Sequence, residues 1–141
     1  MNSKNNRVIF LTCHTNQEKL KVIASTIQKH FENKEAVLIY TQEAKAAEFI
    51  DNFLWSASST SFIPHSIATE VSKDFVVITT IPRNLNDASI LLNIASLPCS
   101  ITSEFAITYE LMDKTTPEKL ALSLERKERF VSIGYDIIDS Y

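Results

Sequence analysis

Cys13, just after the first apolar run of the chain, has a type and position that could support catalysis. A thiol near a helix N-terminus has a lowered pKa and can act as a nucleophile. Lys19 follows six residues later, where a phosphate-binding cysteine loop would carry arginine, together with glycines whose amides surround the phosphate. Because this segment has neither Arg nor Gly, we expect an ordinary buried cysteine. A small thiol-dependent phosphatase or reductase is the alternative.

Other residues capable of chemistry lack the spacing that chemistry requires. His14 and His65 are far apart, so they predict no metal site. We expect His65 to be a hydrogen-bonded structural residue, since nothing in the sequence supplies a catalytic partner. The single glycine, Gly134, excludes a dinucleotide fingerprint and a P-loop, which both need more. The sequence therefore predicts no catalytic residue, cofactor or metal.

Four cations occur on the last predicted helix: Lys119, Arg126, Lys127 and Arg129. Lys119, Arg126 and Arg129 are seven and three residues apart and are therefore expected to share a face. Guanidinium groups form two-pronged, charge-assisted hydrogen bonds with carboxylates, so this face suits a partner that carries carboxylates. The alternative is a solvated face on which these cations pair with three glutamates of the same helix: Glu118, Glu125 and Glu128.

An aromatic segment follows the second predicted helix. The only tryptophan, Trp55, lies where the helical pattern ends, and six small residues, five of them polar, separate it from Phe62-Ile63-Pro64-His65. We expect residues 58–60 to be a flexible tether. Aromatic side chains on a loop either pack into the core or contact a partner, and residue types leave both alternatives open.

The elements that position these residues begin with a β-α-β-α order. Residues 8–11 and 36–40 are continuous apolar runs that predict buried strands. Helical periodicity predicts helices over 16–32 and from a Thr41 cap to Leu54. The two strands are thus expected to be parallel and joined by a right-handed crossover.

The second half continues this pattern. It predicts strands at 66–70 and 75–81. Residues 89–95 fit a strand or a helix by periodicity alone, and their shortness and the Pro98 that follows favour a strand. Residues 105–112 are predicted to form one more strand. This last strand alternates in polarity, which is typical of a half-exposed edge strand. A final helix opens at Thr116-Pro117 and closes at Gly134, and a short tail follows over 136–141. We predict a single α/β domain over 1–141, with a largely parallel or mixed sheet flanked by helices.

Composition limits the function classes. The chain has 141 residues, a net charge of −3 and a pI near 5.6, which argue against strong direct nucleic-acid binding. Two cysteines are too few for a disulfide framework, and no apolar run approaches the roughly 20 residues of a membrane span. We expect a cytoplasmic protein without membrane attachment.

The Leu54-Trp55 pair, a short polar loop and Ser61-Phe62-Ile63-Pro64-His65 resemble the chi subunit of bacterial DNA polymerase III. Three further segments match that family in order: Ile81-Pro82, Leu111-Met112-Asp113 and Gly134-Tyr135. The resemblance implies a Rossmann-like domain and a non-catalytic accessory subunit of the clamp loader. It also implies binding to the C-terminal tail of single-stranded DNA-binding protein (SSB) and, where one exists, to a psi subunit.

The same resemblance implies site residues. Trp55, Phe62 and Pro64 match family positions that face psi, and Ile63 lies between them. The tail pocket is expected on the last helix, with four candidate cations: Lys119, Arg126, Lys127 and Arg129. An alignment without gaps places the family's pocket cations on Leu120 and Leu124, so either Lys119 or Arg126 takes the role through a shifted register, or the tail contact is altered or absent.

Overall fold

The computed structural model describes residues 6–140, which form a single Rossmann-like α/β domain. The strands in chain order are β1 (Arg7–Cys13), β2 (Val37–Tyr40), β3 (His65–Ile67), β4 (Val76–Thr79), β5 (Ile90–Asn93), β6 (Ile107–Asp113) and β7 (Asp136–Ser140). The helices are α1 (Asn16–Glu32), α2 (Ala44–Ser56) and α3 (Pro117–Ile133), with a 3-10 turn at Thr102–Glu104. All paired strands are parallel, in the order β3-β4-β2-β5-β6-β1-β7.

Local capping explains where α1 and α3 begin and end. The Thr15 hydroxyl accepts a hydrogen bond from the Glu18 amide (3.0 Å), which satisfies a first-turn donor of α1. Thr116 does the same for α3, and Pro117 starts that helix. Gly134 ends α3 with φ +103°, a left-handed conformation that favours glycine. These predictions from the sequence are confirmed.

The two faces of the sheet are covered differently. Helices α1 and α2 bury one face through an apolar stripe consisting of Ile23, Ile27, Ala47, Ile50 and Leu54. On the opposite face α3 packs Phe130 against Phe10 of β1, and loops cover the centre with Leu85 and Phe105. The strands are apolar runs because they lie between these two layers.

The prediction that residues 105–112 form an edge strand is wrong. Strand β6 lies between β5 and β1, near the middle of the sheet, and is almost entirely buried. Its alternation arises because Glu110, on the α3 side, forms hydrogen bonds with Asn93 and Arg126 inside the protein. Alternating polarity therefore marks a buried polar network here and not exposure to solvent.

Boundaries around α2 also differ from the expectation. Its N-cap is Glu43, whereas Thr41, the predicted cap, is buried beside the end of β2. The helix extends to Ser56, which places Trp55 in its last turn. The predicted tether is also wrong at Thr60, which is buried and donates its hydroxyl to the Leu54 carbonyl (2.9 Å). That bond satisfies one of the carbonyls that a helix end leaves free.

The predicted C-terminal tail is the strand β7, which pairs with β1 at one edge of the sheet. Two parts of these predictions lie outside the described residues: Tyr141, the last residue of the predicted tail, and residues 1–5 of the predicted domain. Within residues 6–140, no helix is long and apolar enough to cross a membrane.

Candidate functional site

A cavity of about 490 Å³ opens at the carboxyl ends of β5 and β6; we call it the edge pocket. Ligands of open α/β sheets bind in this position, outside the carboxyl ends of the strands. Helices α1, α2 and α3 all contribute to its wall. Its apolar lining includes Leu20, Phe49, Ile50, Ile94 and Leu122. This volume lies within the range of small-ligand sites and can hold an aromatic side chain.

Three cations line the edge pocket: Lys19, Lys119 and Arg126. The Lys19 ammonium lies 2.6 Å from a carboxylate oxygen of Asp113, at the end of β6. Burial raises the pKa of Asp113, but hydrogen bonds from Lys19 and Thr115 outweigh that effect and hold it below its usual value. Lys119 is exposed and has no ion-pair partner within residues 6–140. Its ammonium is therefore available to an anion.

Arg126 is buried in the wall of the edge pocket. Its Nε donates to Glu110 Oε1 (2.9 Å), and Asn93 Nδ2 donates to Glu110 Oε2 (2.9 Å). The remaining guanidinium nitrogens donate to the carbonyls of Ser96 (3.0 Å) and Leu111 (2.8 Å). The alternative of a solvated face with intrahelical pairs is therefore wrong for Arg126. A carboxylate on β6 neutralises it instead of a glutamate on its own helix.

Glu110 is the buried carboxylate of this network, with 0% of its surface exposed. Burial raises the pKa of Glu110 to about 7, although Arg126 and Asn93 act in the opposite direction. A carboxylate removed from water is costly even when paired, which explains the direction of the shift. Glu110 thus changes charge near neutral pH.

The other two predicted cations lie away from the edge pocket. Lys127 donates to both carboxylate oxygens of Asp139 on β7, at 2.9 and 2.8 Å. Arg129 is exposed further along α3 and does not line the cavity. Lys119, Arg126 and Arg129 therefore do not all meet at one site. The structure brings Lys119 and Arg126 together with Lys19, from the distant helix α1.

The two leucines on which the ungapped alignment placed the expected pocket cations also lie outside the lining of the edge pocket. Leu120 packs against the core beneath α3, and Leu124 is exposed. An apolar side chain at either position cannot replace a cation, so the available positive charge is on the neighbouring face of α3.

A second candidate surface surrounds Trp55. Trp55 is 53% exposed and Phe62 64% exposed, and Pro64, two residues after Phe62, is also exposed; we call these three residues the aromatic surface. The Trp55 ring packs on His65 (centroids 4.0 Å apart), and Phe62 contacts the edge of Phe31 (5.7 Å). Residue types left core packing and partner contact open, and these rings are only partly packed.

Ile63, the fourth residue proposed for this surface, does not belong to it. Its side chain is 0% exposed and packs in the core beneath α2. Residues 60–63 form a turn in which the Ile63 amide donates to the Thr60 carbonyl (3.0 Å), and this turn exposes Phe62 while Ile63 is buried. His65 donates Nδ1–H to the Ile63 carbonyl (2.6 Å), which confirms the predicted structural role.

Cys13 has the environment of a core residue. It is fully buried, and burial raises the pKa of its thiol, with the nearby Asp113 carboxylate acting in the same direction. A reactive cysteine requires a lowered pKa and exposure. These observations contradict the reading of Cys13 as a nucleophile. No cluster of potential metal ligands is found among residues 6–140.

Sequence reasoning missed four contributors to the edge pocket and its network: Lys19, Asn93, Glu110 and Asp113. Asn93 and Glu110 are polar residues within apolar strands, a signal that indicates an internal network. Lys19 and Asp113 are 94 positions apart, so only the fold brings them together.

Comparison with protein families matches residues 6–137 to the model of the DNA polymerase III chi subunit, HolC. The match covers nearly the whole chain, including both candidate surfaces. A comparison with curated proteins gives no match. The family match agrees with the Leu54–His65 motif and with the order of strands and helices. The chain therefore belongs to the chi subunit family of DNA polymerase III.

Proposed function

We propose that this protein is a non-catalytic accessory subunit of the replicative clamp loader that binds the C-terminal tail of SSB in the edge pocket. The aromatic surface would attach it to the holoenzyme, through a psi subunit where the organism has one. Such a protein would work in the cytoplasm, without a cofactor and without strong direct binding to nucleic acid. The observation that carries the proposal is a cationic, apolar-walled cavity in a chi family member.

The chemistry of the edge pocket fits an acidic tail with a terminal aromatic residue. Lys119 offers an ammonium that has no ion-pair partner among the described residues, and Lys19 lies close by. Leu122, Phe49 and Ile50 supply apolar surface for the terminal ring. Burying such a ring contributes roughly 1.5–3 kcal/mol, and charge-assisted hydrogen bonds orient the carboxylate.

The four cations first considered have unequal parts in this proposal. Lys119 would contact the tail directly, and Arg126 would form the pocket wall from within its buried network. Lys127 is engaged by Asp139, and Arg129 lies outside the cavity, so neither is required. Arg129 therefore serves as a matched control for Lys119, since both are exposed cations on α3.

The aromatic surface supports the second half of the proposal. Trp55, Phe62 and Pro64 are apolar residues exposed within one segment of the chain, residues 55–64. Exposed apolar residues mark protein contacts, and buried aromatic anchors dominate such interfaces. Ile63 holds the segment in the core, and so its role is to support the surface. The alternative is a chi-fold protein that uses the same surface for a different protein partner.

The test is a titration of a fluorescent peptide, with the sequence of the host's SSB C-terminus, followed by anisotropy. We expect micromolar binding that weakens with salt and weakens about tenfold or more when the terminal Phe is removed. Lys119→Ala should weaken binding about tenfold, whereas Arg129→Ala should leave it within about twofold. Equal losses in both variants would contradict binding in the edge pocket. No binding at tens of micromolar would favour the alternative partner.

A further inference from the structure

Arg126 is the residue through which the buried network reaches the edge pocket. Its Nε and Nη2 donate to Glu110, Leu111 and Ser123, and its Nη1 donates to Ser96. Each terminal guanidinium nitrogen carries two N–H groups. One N–H of Nη1 therefore has no acceptor within residues 6–140, and Arg126 lines the cavity.

Glu110 is the group that compensates the charge of Arg126. Arg126 faces Glu110 from α3, and Asn93 faces it from β5. The buried thiol of Cys99, in the loop after β5, is near enough to interact with the charge of Glu110. The neighbour of Glu110 on β1 is the uncharged Phe10. Arg126 is thus the cation that faces Glu110 among the described residues, and Glu110 itself is sealed from solvent.

We infer that Glu110 is a positioning residue for the acidic ligand of the edge pocket: it holds Arg126 in the wall, and its ionisation state sets the net charge that Arg126 presents. This role rests on the proposed binding of the SSB tail. When Glu110 is ionised, the pair is neutral and attracts a carboxylate weakly. When Glu110 is protonated, the charge of Arg126 is uncompensated and attracts the tail more strongly.

Binding and protonation are consequently linked. A tail carboxylate near Arg126 disfavours a second negative charge on Glu110, so binding near neutral pH takes up part of a proton. Burial raises the pKa of Glu110 to about 7, which places the effect between pH 6 and 8.5. Lysine, arginine and aspartate side chains ordinarily keep one charge over this range, and none of the three histidines lines the pocket.

The test compares tail-peptide affinity from pH 6 to 8.5 for the wild type, Glu110→Gln and the control Glu125→Gln. Glu125 is exposed on α3 and does not line the cavity. Wild-type affinity should fall roughly threefold to tenfold with rising pH, because the attraction of Arg126 is progressively neutralised. Glu110→Gln should give a flat profile, and Glu125→Gln should follow the wild type.

Calorimetry of the wild type at pH 7, in buffers of different ionisation enthalpy, measures the same linkage without any substitution. It should detect uptake of part of a proton for each peptide bound, and it decides the question if Glu110→Gln does not fold. Parallel pH profiles for Glu110→Gln and wild type, or binding without proton uptake, would overturn the role of Glu110 alone. Absence of wild-type binding at every pH would instead refute tail binding, and the role of Glu110 with it.

Discussion

Removing the guanidinium of Arg126 tests how strongly the buried network holds α3 to the sheet. Arg126→Met deletes the partner of a fully buried carboxylate and removes the donor to the Ser96 carbonyl, whereas the Leu111 carbonyl keeps its hydrogen bond from the Ser123 hydroxyl (3.0 Å). Breaking a buried ion pair by removing one partner costs about 3–5 kcal/mol. For a chain of this length that loss lowers the melting temperature by roughly 10–17 °C.

The double variant Arg126→Met, Glu110→Leu separates the loss of the pair from the burial of an unpaired charge. Replacing both members of a buried pair with apolar residues is often close to neutral. Asn93 keeps its hydrogen bond to the Leu97 carbonyl, and Leu111 keeps the one from Ser123, although the Ser96 carbonyl remains without its donor. We expect the free energy of unfolding of the double variant to lie within about 2 kcal/mol of the wild-type value. The single variant should be clearly less stable than both.

The pH dependence follows from the raised pKa of Glu110. The native state holds its proton up to about pH 7, whereas the unfolded chain releases it near 4.5, so the native state binds more protons between these values. Stability from this group is therefore present below pH 4.5 and is lost as pH rises through 7. At about 1.4 kcal/mol per pH unit, the interval from 4.5 to about 7 amounts to about 3 kcal/mol.

Urea unfolding followed by far-ultraviolet circular dichroism at pH 5 and pH 8 measures both effects. The stability of the wild type relative to the double variant should fall by about 2–3 kcal/mol between these pH values, since the double variant lacks the titrating group. A loss below about 1 kcal/mol in Arg126→Met at pH 8, where Glu110 is ionised, would refute the reasoning, and so would a wild-type advantage that is the same at both pH values.

Two further predictions concern residues whose roles the structure decides. Ile63→Ala should lower the free energy of unfolding by about 2–5 kcal/mol because the Ile63 side chain is fully buried. The control Ser58→Ala, at an exposed position, should change it by no more than about 0.5 kcal/mol. Equal effects of the two substitutions in urea unfolding would contradict the core position of Ile63. Alkylation of Cys13, followed by mass spectrometry at neutral pH, should be at least about tenfold slower in native than in urea-unfolded protein, since burial shields the thiol and raises its pKa. Faster alkylation in native than in urea-unfolded protein would contradict this expectation and favour the thiol-dependent enzyme.

Much of the fold follows from local patterns. Apolar runs predict the strands β1 and β2, and the capping residues Thr15 and Thr116 predict the starts of α1 and α3. These signals are readable from the sequence because each depends only on residues close together in the chain. The position of β6 did not follow, since its polar residue Glu110 is satisfied by Arg126, 16 positions later. Only tertiary pairing distinguishes that arrangement from an exposed strand face.

The candidate site was predictable in part for the same reason. Their spacing on one helix predicts that Lys119 and Arg126 share a face, and the structure places both in the lining of one cavity. Spacing could not show that Lys127 pairs with Asp139 or that Lys19 joins the pocket from α1. The motif predicts Ile63 on the aromatic surface, although the turn at residues 60–63 places its side chain in the core.

The most direct test of tail binding is a backbone-amide NMR titration of ¹⁵N-labelled protein with the SSB tail peptide. The proposal predicts that the largest shift changes cluster around the edge pocket, at residues such as Lys19, Ala95, Lys119 and Ser123. Changes confined to the aromatic surface, or to the face of α3 that carries Leu124 and Arg129, would contradict the placement of the tail.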